Sequence, residues 1–279
     1  MIRLGLLVTI LLAIPLALQL PALEILKLKT FDSLVKEQEP SGYFTILNIT
    51  EEDVRAEGGY PLPRQRLAEI QQDLVERGAI GVGWVISFVD ADRFGGDPVF
   101  INYLKSDIPT VVATFEYPNQ VYPKPTGTVM LGELSNGIPL DGYLPNIPEI
   151  ADVTLEGMVS AKVDVDNLVR RLPLLLQTPD GWIPSFGTQV LEEIKVRGLP
   201  QTQVDSLGRQ WVSWVKTKET TLADMDVAGT FVFVGVTAKG VMPQLATPVG
   251  LLEPHKIQAA LAESMLVDSP SIPYWHLSA

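Results

Sequence analysis

The chain has 279 residues, no cysteine and two histidines, with 46% hydrophobic against 19% charged residues. Its 33 acidic and 21 basic side chains leave a formal charge of −12, which argues against nucleic acid as a partner, because affinity for phosphate backbones comes from clustered Lys and Arg. The lack of thiols excludes disulfides and cysteine chemistry, and two histidines cannot complete a closed structural zinc site.

Residues 4–23 are uncharged throughout, a length that matches the roughly 20 residues needed to cross a bilayer core. A cleaved signal peptide is the alternative. No small-x-small cleavage site follows, and Glu24 to Lys29 reads as a helix continuing out of the membrane, so an uncleaved anchor is expected. Arg3 on one flank against Lys27 and Lys29 on the other mildly opposes a body outside the cell.

Tyr43 to Ile49 has strand composition. From Arg64 to Arg77, Leu67, Ile70, Leu74 and Val75 fall on one helical face, with Gly78 placed at the C-terminus. Ala79 to Phe88 is a nearly continuous apolar run, as in a strand covered on both faces of a parallel sheet. A short helix is expected at Asp97 to Lys105 and a strand at Thr110 to Phe115. Residues 116–150 are rich in Pro, Gly and Asn and read as an irregular excursion. Further strands are predicted at Gly157–Val163, Arg171–Gln177 and Thr230–Val236, with a turn at Asp164–Asn167 and a hairpin at Val204–Val215. Helices are predicted at Pro184–Val196 and Pro254–Met265. The tail from Pro270 to His276 places Tyr274 and Trp275 together, as at a membrane interface. The pattern is α/β.

Candidate chemistry is sparse. Gly235 to Gly240 has a phosphate loop's glycine spacing, but Val241 and Met242 stand where Lys and Ser or Thr are needed. Ser213-Trp214-Val215-Lys216 matches a Ser-x-x-Lys pattern in a strand-like run, whereas that chemistry needs the serine to open a helix. The segment from Asp90 to Asp97 offers more, with Asp90, Asp92, Arg93 and Asp97 just beyond a buried strand, where open α/β sheets place ligands. It reads first as a structural turn with Asp97 capping the next helix, and second as a ligand contact. Calcium fits poorly, because Arg93 intrudes and Asn102 stands at the closing acidic position. Asp164, Asp166, Arg170 and Arg171 read as an ion-paired turn.

Taken in order, Gly59 to Arg64, Arg77-Gly78-Ala79, Ser87 to Asp97, Asp166 to Leu174, Val234 to Ala238, Ala246 to Gly250 and Pro254 to Ala259 carry a likeness. The chain resembles the second subtype of the cyclases/histidine-kinases-associated sensory extracellular domain (CHASE). It departs from that pattern at Asn48-Ile49-Thr50, where an acidic residue is usual, and at His255-Lys256, where a glycine-centred start is usual. The resemblance implies one anchor and stalk at residues 1–28 and a single extracytoplasmic α/β sensory domain at 29–267, its central sheet largely parallel with added antiparallel strands. A membrane-proximal tail at 268–279 would lead to a second membrane segment. It further implies a non-catalytic receptor input in the plasma (inner) membrane, facing the periplasm and controlling a cytoplasmic cyclase or kinase. No catalytic residue, metal or cofactor is expected. The expected partners are the membrane, a small-molecule or protein stimulus and a second copy of the chain. A subunit of an envelope assembly and a tethered hydrolase using the acidic segment are the alternatives.

Overall fold

A computed structural model describes residues 21–35, 38–127, 137–194 and 204–267. Most of the predicted membrane span and all of the tail from residue 268 lie outside the described residues. Among the described residues no helix is long and apolar enough to cross a membrane.

Helix α1 (Pro21–Leu34) precedes β1 (Phe44–Ile49), α2 (Glu51–Ala56), α3 (Arg64–Glu76), β2 (Gly81–Trp84), α4 (Asp97–Leu104) and β3 (Thr110–Phe115). After the irregular excursion come β4 (Ile138–Pro139), α5 (Pro148–Ala151), β5 (Leu155–Val159), β6 (Arg171–Pro173), β7 (Leu175–Thr178), β8 (Gly181–Pro184) and α6 (Phe186–Ile194). The last elements are β9 (Arg209–Trp211), β10 (Lys218–Thr221), β11 (Phe231–Val236), β12 (Leu245–Thr247), β13 (Gly250–Leu252) and α7 (Pro254–Leu266). The central sheet has the order β10-β1-β11-β2-β3-β5, and every pairing in it is parallel. Antiparallel pairs lie outside it, β6 with β9, β7 with β8 and β12 with β13.

The apolar runs follow from this layering. Along β11, Val232, Val234 and Val236 share a core with Leu67, Ile70 and Leu74 of α3 and with Phe100 and Leu104 of α4. Phe231 and Phe233 point the other way, to Phe186 and Val190 of α6 and to Ile257, Leu261 and Met265 of α7. A strand that meets helices on both faces has no polar side, so alternation disappears. Gly83 of β2 is held in this core by space, because a Cβ there would approach Phe186 to 2.9 Å and Phe231 to 3.0 Å.

Several boundaries differ from expectation for physical reasons. Only Gly81–Trp84 of the apolar run from Ala79 to Phe88 forms strand, and Val85 to Phe88 leaves the sheet nearly covered, Val85 still donating its N–H to Val234. The expected strand at Arg171–Gln177 breaks at Leu174, because β6 and β7 serve different sheets. The expected hairpin at 204–215 keeps its turn at Gly208, but β9 takes β6 as its partner. Helix α6 starts at Phe186 because Gly181–Pro184 pair with β7. Helix α2 was not expected. Thr50 caps it, its hydroxyl accepting from the Asp53 N–H while the Asp53 carboxylate accepts from the Thr50 N–H at 2.7 Å.

Candidate functional site

The acidic segment after β2 is organised by a residue outside it. Arg64, the first residue of α3, is 8% exposed and lies with its guanidinium 4.5 Å from the centre of the Phe88 ring. Its Nε stands 3.3 Å from Asp97 Oδ1, its backbone N–H donates to Asp92, and Nη2 donates to the Asp90 carbonyl. The Asp97 carboxylate also accepts from the Asp92 N–H at 2.7 Å, and Asp92 accepts from the Gly96 N–H at 2.8 Å. Burial pulls the Arg64 guanidinium below its usual range, against the opposing pull of Asp97 and Asp92. The structure thus brings Asp92 and Asp97 together on Arg64. Asp90 contributes its carbonyl, and Arg93 lies over the exposed ring of Phe94. Gly96 is the N-cap of α4, and Asp97 is its first residue rather than its cap. Asp97 ties the loop to α3 instead.

The second charged cluster joins α1 to the body. Arg170 is 1% exposed, and each of its five N–H donors meets a carboxylate oxygen. Nε and Nη2 grip Asp32 of α1, both at 2.8 Å; Nη1 and Nη2 grip Asp166, both at 2.8 Å; the second Nη1 hydrogen reaches Asp164 at 3.2 Å. A guanidinium has no further donors to offer. Burial alone would lower the Arg170 pKa, but Asp166, Asp32 and Asp164 outweigh it and hold the value above the ordinary one. Hydrogen bonds from Arg170 hold Asp166 below the usual carboxylate range.

The network extends into the β6–β9 pair. Arg171 bonds Asp164 and Asp205 and lies 5.2 Å from the centre of the Trp211 ring. Asp205 also accepts from the Arg209 side chain and from the Arg209 and Leu207 N–H groups. These bonds overcome burial and hold its pKa low. Trp211 receives α1 directly, with Phe31 edge-on at 4.6 Å and Leu28 buried against it. The turn containing Asp164, Asp166, Arg170 and Arg171 is therefore ion-paired as expected, and α1 is docked on it. Sequence reasoning missed Asp32, Asp205, Arg209 and Trp211; the i, i+3 spacing of Leu28 and Phe31 was the one legible signal.

A cleft of about 840 Å³ opens beside this joint, walled by α1, by the segment from Trp211 to Thr217, by the β12–β13 turn and by α7. Not far along the same sheet edge, the two departures from the family pattern meet. His255 Nε2 lies 2.9 Å from Asn48 Oδ1, and the Asn48 amide donates to Glu219 at 2.7 Å. With its nitrogen so used, Asn48 offers only its oxygen, so His255 carries the proton on Nε2. Burial, aided by Lys256, pushes the imidazole pKa down to about 3. Gly235 leaves room for that ring, since a Cβ there would come within 2.2 Å of it. The first glycine of the Gly235 to Gly240 spacing thus covers a histidine.

No curated protein and no solved structure matches the chain. A family model described as CHASE2 domain matches residues 8–279, nearly the whole length. The chain belongs to the CHASE2 family of sensory extracellular domains.

Proposed function

We propose that this domain is the extracytoplasmic input of a receptor in the plasma (inner) membrane. In this reading residues 4–23 cross the bilayer, α1 carries that helix into the domain, and a cytoplasmic nucleotide cyclase or protein kinase receives the signal. The observation that supports it most is the joint at Arg170. A helix that begins where the apolar segment ends is gripped through Asp32 by a buried guanidinium of the domain, with Phe31 and Leu28 on Trp211. A stimulus that favours one docking geometry of α1 over another would shift the position of the membrane helix, which is what a two-state sensor requires.

The chain has no native cysteine, so topology can be read cleanly. A single Asp180→Cys substitution in the exposed β7–β8 turn, in the full chain in intact cells, is expected to react with a membrane-impermeant maleimide. Reaction only after permeabilisation would contradict the extracytoplasmic placement.

A further inference from the structure

We propose that Glu263 is an acid-operated latch between α7 and the linker that joins α1 to β1: protonated, it lets the linker close on the last turn of α7, and ionised, it lets the linker lift. This deepens the sensor reading and rests on it for what the latch would signal, though not for the latch itself. Glu263 lies one turn from the end of α7 and is 0% exposed. Its Oε2 accepts from the Ser41 N–H at 2.8 Å across 222 residues of chain, and the Thr217 hydroxyl lies 3.5 Å from Oε1. Around this contact the linker is a surface segment. Ser41 is half-buried, Gly42 and Tyr43 are exposed, and Gly42 has φ +80°, in the left-handed region that favours glycine. The linker can therefore leave α7 without disturbing β1, which begins at Phe44 inside the sheet.

Two features of the site oppose a charge on this carboxylate. It is taken out of water, and it sits in the last turn of a helix, where the backbone carbonyls already carry partial negative charge and α7 supplies no basic residue. The charged groups on the neighbouring elements are engaged or turned to solvent. On α7, Lys256 lies two turns back and binds Glu219 and Glu253. In the segment leading to β10, Lys216 is exposed and Lys218 binds Asp226. Arg209 of β9 binds Asp205, Glu193 of α6 accepts from Gln189, and Glu192 of α6 and Glu39 of the linker are exposed. Strands β1 and β11 carry no charged residue.

Burial accordingly raises the Glu263 pKa, and only hydrogen bonds from Ser41 and Thr217 work against it. A proton on Oε1 leaves each polar atom served: the acid donates to the Thr217 hydroxyl, and Oε2 still accepts from Ser41. Lifting the linker admits water, which favours the ionised form. The closed state therefore holds its proton more tightly than the open one. Acid closes the latch, and it loosens as pH rises from the ordinary 4.5 through the raised value. His255, at about 3, stays neutral over that window. Because α1 leads into the linker and the chain leaves the domain after α7, a proton on Glu263 changes how those two ends are joined.

The test uses the full chain in lipid nanodiscs with spin labels on Glu39→Cys in the linker and Glu192→Cys on α6, both exposed positions in a chain that has no cysteine of its own. Pulsed electron resonance is expected to give one distance at about pH 4.5 and a second, longer population at about pH 7.5, the ratio of long to short rising by up to about tenfold per pH unit between the two pKa values. Adding Glu263→Gln, nearly isosteric and always neutral, should hold the short distance at both pH values. In the unlabelled chain, the infrared carbonyl band of a protonated carboxyl should persist about one pH unit above 4.5 and be missing from Glu263→Gln, a readout of the native chain that stands even if the variant folds poorly. A distance distribution indifferent to pH, a pH response that survives Glu263→Gln, absence of the infrared band, or lengthening accompanied by loss of circular dichroism would each overturn the proposal. Maleimide reactivity of Asp180→Cys is read independently, so a failed topology and a failed latch give different results.

Discussion

Arg64 and Arg170 are both buried against aspartates, and they do different work. Arg64 closes a single loop: Asp90, Asp92 and Asp97 follow one another, Phe88 lies beneath, and the distances are 3.3–3.4 Å. Burial outweighs its partners and lowers its pKa. Arg170 is gripped at 2.8 Å by Asp166 four residues away and by Asp32 from a helix 138 residues earlier, and its carboxylates outweigh burial. The same ion chemistry serves as a loop clasp in one place and as a joint between separate elements in the other. The acidic segment that the sequence makes conspicuous is the clasp.

The largest expected effect comes from removing the joint's cation. Arg170→Met strands the Asp32 and Asp166 carboxylates and leaves Asp164 to Arg171 alone, and should cost about 3–5 kcal/mol, read from denaturant unfolding. A loss below about 1 kcal/mol would mean that water replaces the guanidinium. Arg64→Met should cost less, about 1–3 kcal/mol, because its bonds are longer and Asp90 offers only a carbonyl. If the two losses are equal, the contrast between joint and clasp fails as an energetic statement.

The buried imidazole sharpens the contrast, since His255 is paired with a neutral amide rather than a carboxylate. Its folded pKa, about 3, lies below the ordinary 6.5. The folded state therefore stays neutral where the unfolded chain takes up a proton. Stability from this group is complete above about pH 6.5 and falls as pH drops towards 3, by at most about 1.4 kcal/mol per pH unit. Glu263, whose pKa burial raises, contributes with the opposite sign above its unfolded value, so the slope should be compared with that of His255→Gln. The variant is expected to flatten unfolding free energy between about pH 6 and pH 5; an unchanged slope would assign the acid sensitivity elsewhere. Smallest is Asp97→Ala, which removes one acceptor for the Asp92 N–H and the partner of Arg64, and should lower stability by around 1 kcal/mol in thermal melts.

Much of the fold was legible because burial on both faces writes itself into composition. Strands β1, β3 and β11 and helices α3, α4 and α7 were found within a residue or two, since apolar runs and 3.6-residue spacing are local signals. Strand β10, Lys-Glu-Thr-Thr, has no such signature: it lies at the sheet edge and is a strand only through its pairing with β1. The turn at Gly208 does bring Val204 antiparallel to Gln210, as the sequence suggested, but the pairing of β9 with β6 was missed because that partner lay more than thirty residues away. At the joint, Asp164, Asp166, Arg170 and Arg171 stood together in the sequence. Asp32 could not be joined to them, because nothing local says which carboxylate a distant guanidinium will hold. The departures at Asn48 and His255 looked unrelated until the structure put them in one hydrogen bond.

The central claim is that α1 is held to a folded domain by Arg170 and can be released without unfolding it. Hydrogen exchange of the full chain in lipid nanodiscs, comparing the native sequence with Asp32→Asn, tests this directly. The expected result is faster exchange in the part of α1 around Leu28, Phe31 and Asp32, with β1, β11 and α7 unchanged. Unaltered exchange in α1, or an equal rise throughout the domain, would contradict it.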